Sequence, residues 1–179
     1  MHRAVFLDRD GTLIEDRGNL RRESDVVFFS GTVDALRRLN RRFKLFIVTH
    51  QGGIAEGEIT PEEVETVNGY VVSCLAAYDI EIAEVYVCPH SRDDNCRCIK
   101  PNPYFLKEAA HSHDLDLGSS YTVGDHPHDV ELATQAGACG MYVLTGHGTK
   151  HRHDVPADTV VAEDIEAVAD RILNAFPEA

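Results

Sequence analysis

No apolar run in this 179-residue chain approaches the ~18 residues that a membrane-spanning helix needs, although 43% of its residues are hydrophobic. Positive charge is also scarce. Seventeen Lys and Arg stand against 30 Asp and Glu, a net charge of −13. Such a surface repels phosphate backbones and anionic lipid, which argues against nucleic-acid and membrane partners. An anionic small molecule would have to be held by a local metal ion or a few well-placed cations. The N-terminus has no charged-then-apolar leader and no small-residue cleavage site. It runs directly into "RAVFLD", so a cytoplasmic protein is expected. Repeats, low-complexity tracts and long linkers are all missing. Residues 1–179 are therefore expected to form one domain, burying about 70% of its unfolded surface. No sequence feature specifies an oligomer, and a monomer is compatible with all of these traits.

Cysteine is sparse but unevenly placed. Of five cysteines, three (Cys88, Cys96 and Cys98) fall within eleven residues. In a cytoplasmic chain that crowding favours metal over disulfide. Cys74 and Cys139 lie in apolar contexts and are expected to be inert core thiols.

The remaining pattern alternates short runs rich in Val, Ile, Phe and Tyr with amphipathic segments. Strands are expected at Ala4–Leu7, Lys44–Val48, Ala83–Val87, Tyr121–Val123 and Met141–Leu144. Helices are expected over "TVDALRRLNRR", over "TPEEVETVNGYVVSCLAAY", from Asn102–Pro103, over "DVELATQAG" and over about Asp164–Phe176. The second has Thr60 as cap, Pro61 at its first position and Glu63 completing a capping box. Gly137 closes the fourth. The segment "GHGTKHRHD" reads as a solvated loop. Alternation of this kind predicts an α/β fold: a three-layer, Rossmann-like parallel sheet with helices on both faces and right-handed crossovers.

Ligands in such folds bind outside the carboxyl ends of the strands. The unusual residues fall there. In "AVFLDRDGTLIE", Asp8 and Asp10 follow the first strand; Thr49 follows the second in "FIVTHQGG". The Cys/His cluster and Lys100 follow the third. Asp125 and Asp129 follow the fourth in "YTVGDHPHD", Asp129 either supporting the site or capping the next helix. Carboxylates gathered on one edge are costly unless a cation neutralises them. Hard oxygen ligands with open positions suit Mg²⁺ shared with a substrate phosphate. On this reading Asp8 holds the metal and attacks phosphorus, forming an aspartyl-phosphate. Asp10 serves as general acid and then base. Thr49 and Lys100 hold the phosphoryl oxygens.

These motifs resemble those of the haloacid-dehalogenase-like phosphohydrolases. "DRDGT" is similar to their first motif, "VTHQGG" to the second, the lysine of "CIKPNP" to the third and "GDHPHD" to the fourth. Within that superfamily the chain resembles the D-glycero-D-manno-heptose 1,7-bisphosphate and histidinol-phosphate phosphatases. The resemblance implies Asp8 as nucleophile, Asp10 as acid/base and Mg²⁺ on Asp8, the Asp10 carbonyl and Asp125. It further implies a zinc loop over residues 88–98, "CPHSRDDNCRC", in which Cys88, His90, Cys96 and Cys98 form a closed structural set. The interval Leu13–Gly31 is too short for a large cap domain. Asp16, Arg17, Gly18 and Asn19 from that interval are the implied substrate contacts, together with His50, Gln51, Gly52, Ile99 and His126.

Four positions depart from the subgroup's usual pattern: His50 replaces Asn, Gly52 replaces Ser, Ile99 replaces Arg and His126 replaces Lys. The last two remove or weaken cations that would grip a phosphorylated sugar. The expected activity is hydrolysis of a small phosphorylated metabolite, a sugar phosphate such as D-glycero-D-manno-heptose 1,7-bisphosphate. Two rivals are a histidinol-phosphate phosphatase and a zinc-stabilised module that binds phosphate esters with little turnover.

Overall fold

The structure, a computed structural model, describes residues 1–176. The last three residues of the expected 1–179 domain lie outside it. Six strands form one sheet: β1 (Ala4–Leu7), β2 (Lys44–His50), β3 (Ile82–Cys88), β4 (Tyr121–Gly124), β5 (Cys139–Val143) and β6 (Val160–Ala162). Their order is β3-β2-β1-β4-β5-β6, and every pairing is parallel. Five helices accompany them: α1 (Thr32–Asn40), α2 (Pro61–Ala76), α3 (Tyr104–His113), α4 (Pro127–Ala136) and α5 (Ile165–Asn174).

The alternation of side chains along β1 and β2 builds two cores. Val5, Leu7, Leu45 and Ile47 point to one face, where they meet Leu36 and Leu39 of α1, Val67 and Val71 of α2, and Val168 and Ile172 of α5. Ala4, Phe6, Phe46 and Val48 point to the other, against Leu106 of α3 and Leu132 of α4. Both faces are covered, so the central strands carry apolar residues without interruption. The expected three-layer α/β architecture is what forms.

Local signals act as the sequence predicts at two helix ends. The Thr60 hydroxyl accepts from the Glu63 amide at 3.2 Å, and the Glu63 carboxylate accepts from the Thr60 amide at 2.9 Å, closing the capping box at α2. Gly137 ends α4 at φ 77°, in the left-handed region that suits glycine.

Two expectations need correction. Strand β6 was not anticipated, because its three residues are too few to show a periodic signal. Cys139 is exposed at the start of β5 and Cys74 is only half-buried on α2, so neither is a core thiol. The "GHGTKHRHD" loop is solvated as expected, seven of its nine residues being exposed, and it is anchored at two points. Thr145 just before it donates to the Gly11 carbonyl at 2.7 Å, and Tyr142 donates to the Gly148 carbonyl at 2.9 Å. These bonds fold the loop back over the carboxyl end of β1. Among the described residues no large cap domain is inserted; Leu13, Ile14 and Leu20 of the 13–31 interval are buried against the first core.

Candidate active site and metal clusters

Strands β1 and β4 are neighbours whose connections leave in opposite directions, to β2 on one side and β5 on the other. The crevice at such a switch point is where ligands bind in this class of sheet. Asp8 leaves β1 with its amide bonded to the Val123 carbonyl of β4 at 2.9 Å. Asp125 directly follows β4. The two carboxylates are therefore delivered to the same point by paired strands.

Lys100, from the segment after β3, reaches across to them. Its Nζ donates to Asp8 Oδ1 and to Asp129 Oδ1, each at 2.7 Å. Carboxylate oxygens of Asp8, Asp125 and Asp129 lie within 4.8 Å of one another. Burial, reinforced by the Asp129 charge, raises the Asp8 pKa to about 6 although Lys100 opposes the shift. Burial, reinforced by Asp8 and Asp129, raises Asp125 to about 8. Burial also works against the Lys100 charge, but Asp129 and Asp8 outweigh it and hold the amine protonated well above the ordinary lysine range. More negative charge is gathered here than one lysine neutralises, so the donor set fits a hard divalent cation.

Asp129 serves both of its expected alternatives. One oxygen accepts from Lys100; the other accepts from the His126 amide at 3.2 Å, completing the N-terminal box of α4. Gly11 is required by the same packing. Its φ is +83°, and a Cβ there would stand 2.1 Å from Asp125 Oδ2.

Asp10 shares the cleft with Asp8, and its carboxylate is gripped from behind. Arg9 donates to Asp10 through Nε at 3.0 Å and Nη2 at 3.1 Å, and Gln51 Nε2 donates at 2.9 Å. Burial pushes the Asp10 pKa up, against the lowering influence of Arg9. Gln51 Nε2 also donates to Thr49 Oγ1 at 2.8 Å, leaving the threonine proton available to a ligand. Arg9 is fully buried, and its Nη1 donates to Asn68 Oδ1 on α2 at 2.7 Å. Sequence reasoning missed both residues. The available signals were an arginine inside a buried strand end and an asparagine among the apolar Val64, Val67 and Val71 of α2.

Two of the departures prove to be one. The His50 ring fills the space above Gly52, where a Cβ would lie 3.1 Å from its Cε1 and Nε2. His50 Nε2 lies 2.7 Å from the His90 carbonyl, tying the end of β2 to the Cys/His loop. In that loop the sulfurs of Cys88, Cys96 and Cys98 lie 3.3 to 3.6 Å apart, and His90 Nδ1 lies 3.3 Å from Cys98 Sγ and 3.9 Å from Cys88 Sγ. With Zn–S bonds of ~2.3 Å, a tetrahedral site has edges of roughly 3.8 Å, so the four donors suit one zinc ion.

The remaining candidates divide cleanly. Asp16, His50, Ile99 and His126 line the same cleft as Asp8, Asp10, Thr49, Lys100, Asp125 and Asp129, about 160 Å³ in volume. Gly18, Asn19, Gln51 and Gly52 line an adjoining hollow with Asp10 and Asp16. Arg17 lines neither; its guanidinium turns to Glu15, at 2.7 and 2.9 Å. Burial and the neighbouring His128 and His151 lower the His126 pKa to about 4, so it is neutral near pH 7 and supplies no cation. His128 and Arg92 also line the cleft, and His147 donates its amide to Asp125 Oδ2 at 2.7 Å. None of these three was singled out from the sequence.

A doubly wound sheet with a lysine-bridged carboxylate cluster at its switch point defines the class: a Rossmann-like α/β protein with a candidate divalent-cation site. A family model described as HAD-hydrolase-like matches residues 97–168. The chain is 33% identical over 183 aligned positions to the D-glycero-beta-D-manno-heptose-1,7-bisphosphate 7-phosphatase of Escherichia coli (strain K12), covering 98% of this chain and 90% of that one. The enzyme of the same name from Bordetella bronchiseptica is 31% identical, over 95% of this chain and 97% of its own length. The crystal structure of D,D-heptose 1,7-bisphosphate phosphatase from B. bronchiseptica, complexed with magnesium and phosphate, superposes with a TM-score of 0.89 at 30% identity. That superposition covers 97% of this chain and 99% of the other. The chain belongs to the HAD-like hydrolase superfamily, in the subgroup that contains the heptose-bisphosphate phosphatases.

Proposed function

We propose that this protein is a Mg²⁺-dependent phosphoric monoester hydrolase of the cytoplasm. Its substrate on this reading is a small sugar phosphate, with D-glycero-D-manno-heptose 1,7-bisphosphate as the reference compound. The observation that carries the reading is the Lys100 amine shared at 2.7 Å between Asp8 and Asp129, with Asp125 beside them. The relatives' names and the magnesium and phosphate of the B. bronchiseptica complex support it.

Asp8 and Asp125, with the Asp10 main-chain carbonyl, would hold Mg²⁺, and Asp129 would anchor Lys100 alongside. The ion's contribution is neutralisation of the gathered carboxylates and of the substrate phosphate. Lys100 and the Thr49 hydroxyl face the phosphoryl oxygens. An Asp8 oxygen attacks phosphorus, the bond to the ester oxygen breaks, and Asp10 delivers its proton to that leaving oxygen. Asp10 then takes a proton from the water that attacks the aspartyl-phosphate. The P–O bond to Asp8 breaks, and inorganic phosphate leaves. Arg9 and Gln51 hold the Asp10 carboxylate for both transfers. A zinc ion on Cys88, His90, Cys96 and Cys98 would stiffen the wall of the cleft, which His50 links to the end of β2. Asp16, Gly18, Asn19, Gln51, Gly52, Ile99 and His126 would frame the rest of the ester.

The test is phosphate release from heptose bisphosphate, sugar monophosphates and histidinol phosphate with Mg²⁺. Heptose bisphosphate should give the highest kcat/KM, and Asp8→Asn or EDTA should abolish turnover. A preference for histidinol phosphate would reassign the substrate. Binding without turnover would identify a non-catalytic module. Full activity in Asp8→Asn would exclude the covalent route.

A further inference from the structure

The reacting end of the cleft carries far more negative than positive charge. Asp8, Asp10, Asp125 and Asp129 converge there, and Lys100 is already engaged by two of them. The imidazoles of His50, His126 and His128 line the same cleft. Ile99, beside Lys100, is apolar and buried. Among the described residues lining this cleft, one cation has no carboxylate partner: Arg92.

Arg92 stands in the Cys/His loop, between His90 and Cys96, with its side chain exposed. Its Nη1 lies 3.2 Å from His128 Nδ1. That contact uses one of its five N–H groups and leaves the guanidinium its full charge and its other donors. The loop beneath is well defined, since the Ser91 amide donates to Asp94 Oδ2 at 2.7 Å and His50 holds the His90 carbonyl. A planar, permanently charged fork on that loop matches a phosphate group in a way that the surrounding imidazole rings do not.

We propose that Arg92 is the specificity-determining cation of the cleft, binding the second, unhydrolysed phosphate of a doubly phosphorylated substrate. The assignment rests on the phosphatase reading and names the residue of this chain that would favour bisphosphates over monophosphates. It also assigns the Cys/His loop a recognition role beyond shaping the wall.

The experiment compares kcat and KM for heptose 1,7-bisphosphate and for the same sugar carrying the 7-phosphate alone, in wild type, Arg92→Gln and Arg92→Lys. Wild type should favour the bisphosphate. Arg92→Gln should raise the bisphosphate KM by about 10- to 50-fold, the loss expected for a charge-assisted bond, with kcat little changed. The bisphosphate-to-monophosphate ratio of kcat/KM should collapse with it, while Arg92→Lys keeps part of that ratio. An unaltered ratio in Arg92→Gln, or a wild type indifferent to the second phosphate, would overturn the assignment. Calorimetric titration of both esters into Asp8→Asn protein, with and without Arg92→Gln, reads the same contrast without turnover. Absence of hydrolysis would therefore count against the phosphatase reading, while the binding contrast still decides the role of Arg92.

Discussion

Replacing Lys100 by methionine removes the one cation bridging Asp8 and Asp129 and leaves three carboxylates within 4.8 Å. The lysine and Asp8 side chains are only 10% and 14% exposed and Asp129 4%, so solvent does little to soften the loss. Stranding buried charge by removing its partner costs about 3–5 kcal/mol. The carboxylates can escape by taking up protons, which makes the cost depend on pH. Asp8 and Asp125 have folded pKa values of about 6 and about 8, above the ordinary 3.8. Their favourable contribution is fully present below about 3.8 and is lost as pH rises through about 6 and then about 8. Metal-free Lys100→Met should therefore be about 3 kcal/mol less stable than wild type at pH 8, a fall in Tm of roughly 6–12 °C. The difference should shrink to about half at pH 5 and shrink again with saturating Mg²⁺ at pH 8. Urea denaturation in EDTA at the two pH values measures it. A loss below about 1 kcal/mol at pH 8, or one that grows as pH falls, would refute the reasoning.

Asn68→Leu leaves the buried Arg9 guanidinium short of an acceptor and should cost about 1–3 kcal/mol by denaturation; a lowered kcat would follow from looser positioning of Asp10. Gly52→Ser should destabilise the wild type, because its Cβ meets the His50 ring at 3.1 Å, yet be tolerated in a His50→Asn background. A double-mutant cycle should return a coupling of about 0.5–3 kcal/mol, and strict additivity would contradict the shared-space argument. Purified protein should contain one zinc ion per chain by elemental analysis, and Cys98→Ser should lose it together with several degrees of Tm.

The elements and the edge that bears the chemistry were legible because both depend on local patterning. Apolar runs of strand length, a capping box at Thr60 and a terminal glycine at 137 specify strands and helices within a few residues. Alternating β and α then place Asp8, Thr49, Lys100 and Asp125 on one edge by topology alone. Strand β6 escaped because three residues bury too little to leave a period.

What the chain order could not convey is which way side chains turn once distant segments meet. Arg17 sits next to Asp16, yet it folds back on Glu15 and leaves the cleft. Arg9 stands between two aspartates in the sequence, and its partner Asn68, 59 positions away, is brought against it only by α2. Arg92 gives no signal in the sequence; the fold places it beside His128, 36 positions away, in the lining of the cleft. The amino-acid order determined the sheet, its reactive edge and the chemical types of the groups there, since periodicity and strand-end position are properties of neighbouring residues. Only the tertiary packing decided which charges are neutralised and which remain open to a ligand, because desolvation and Coulomb energy depend on distances between residues far apart in the chain.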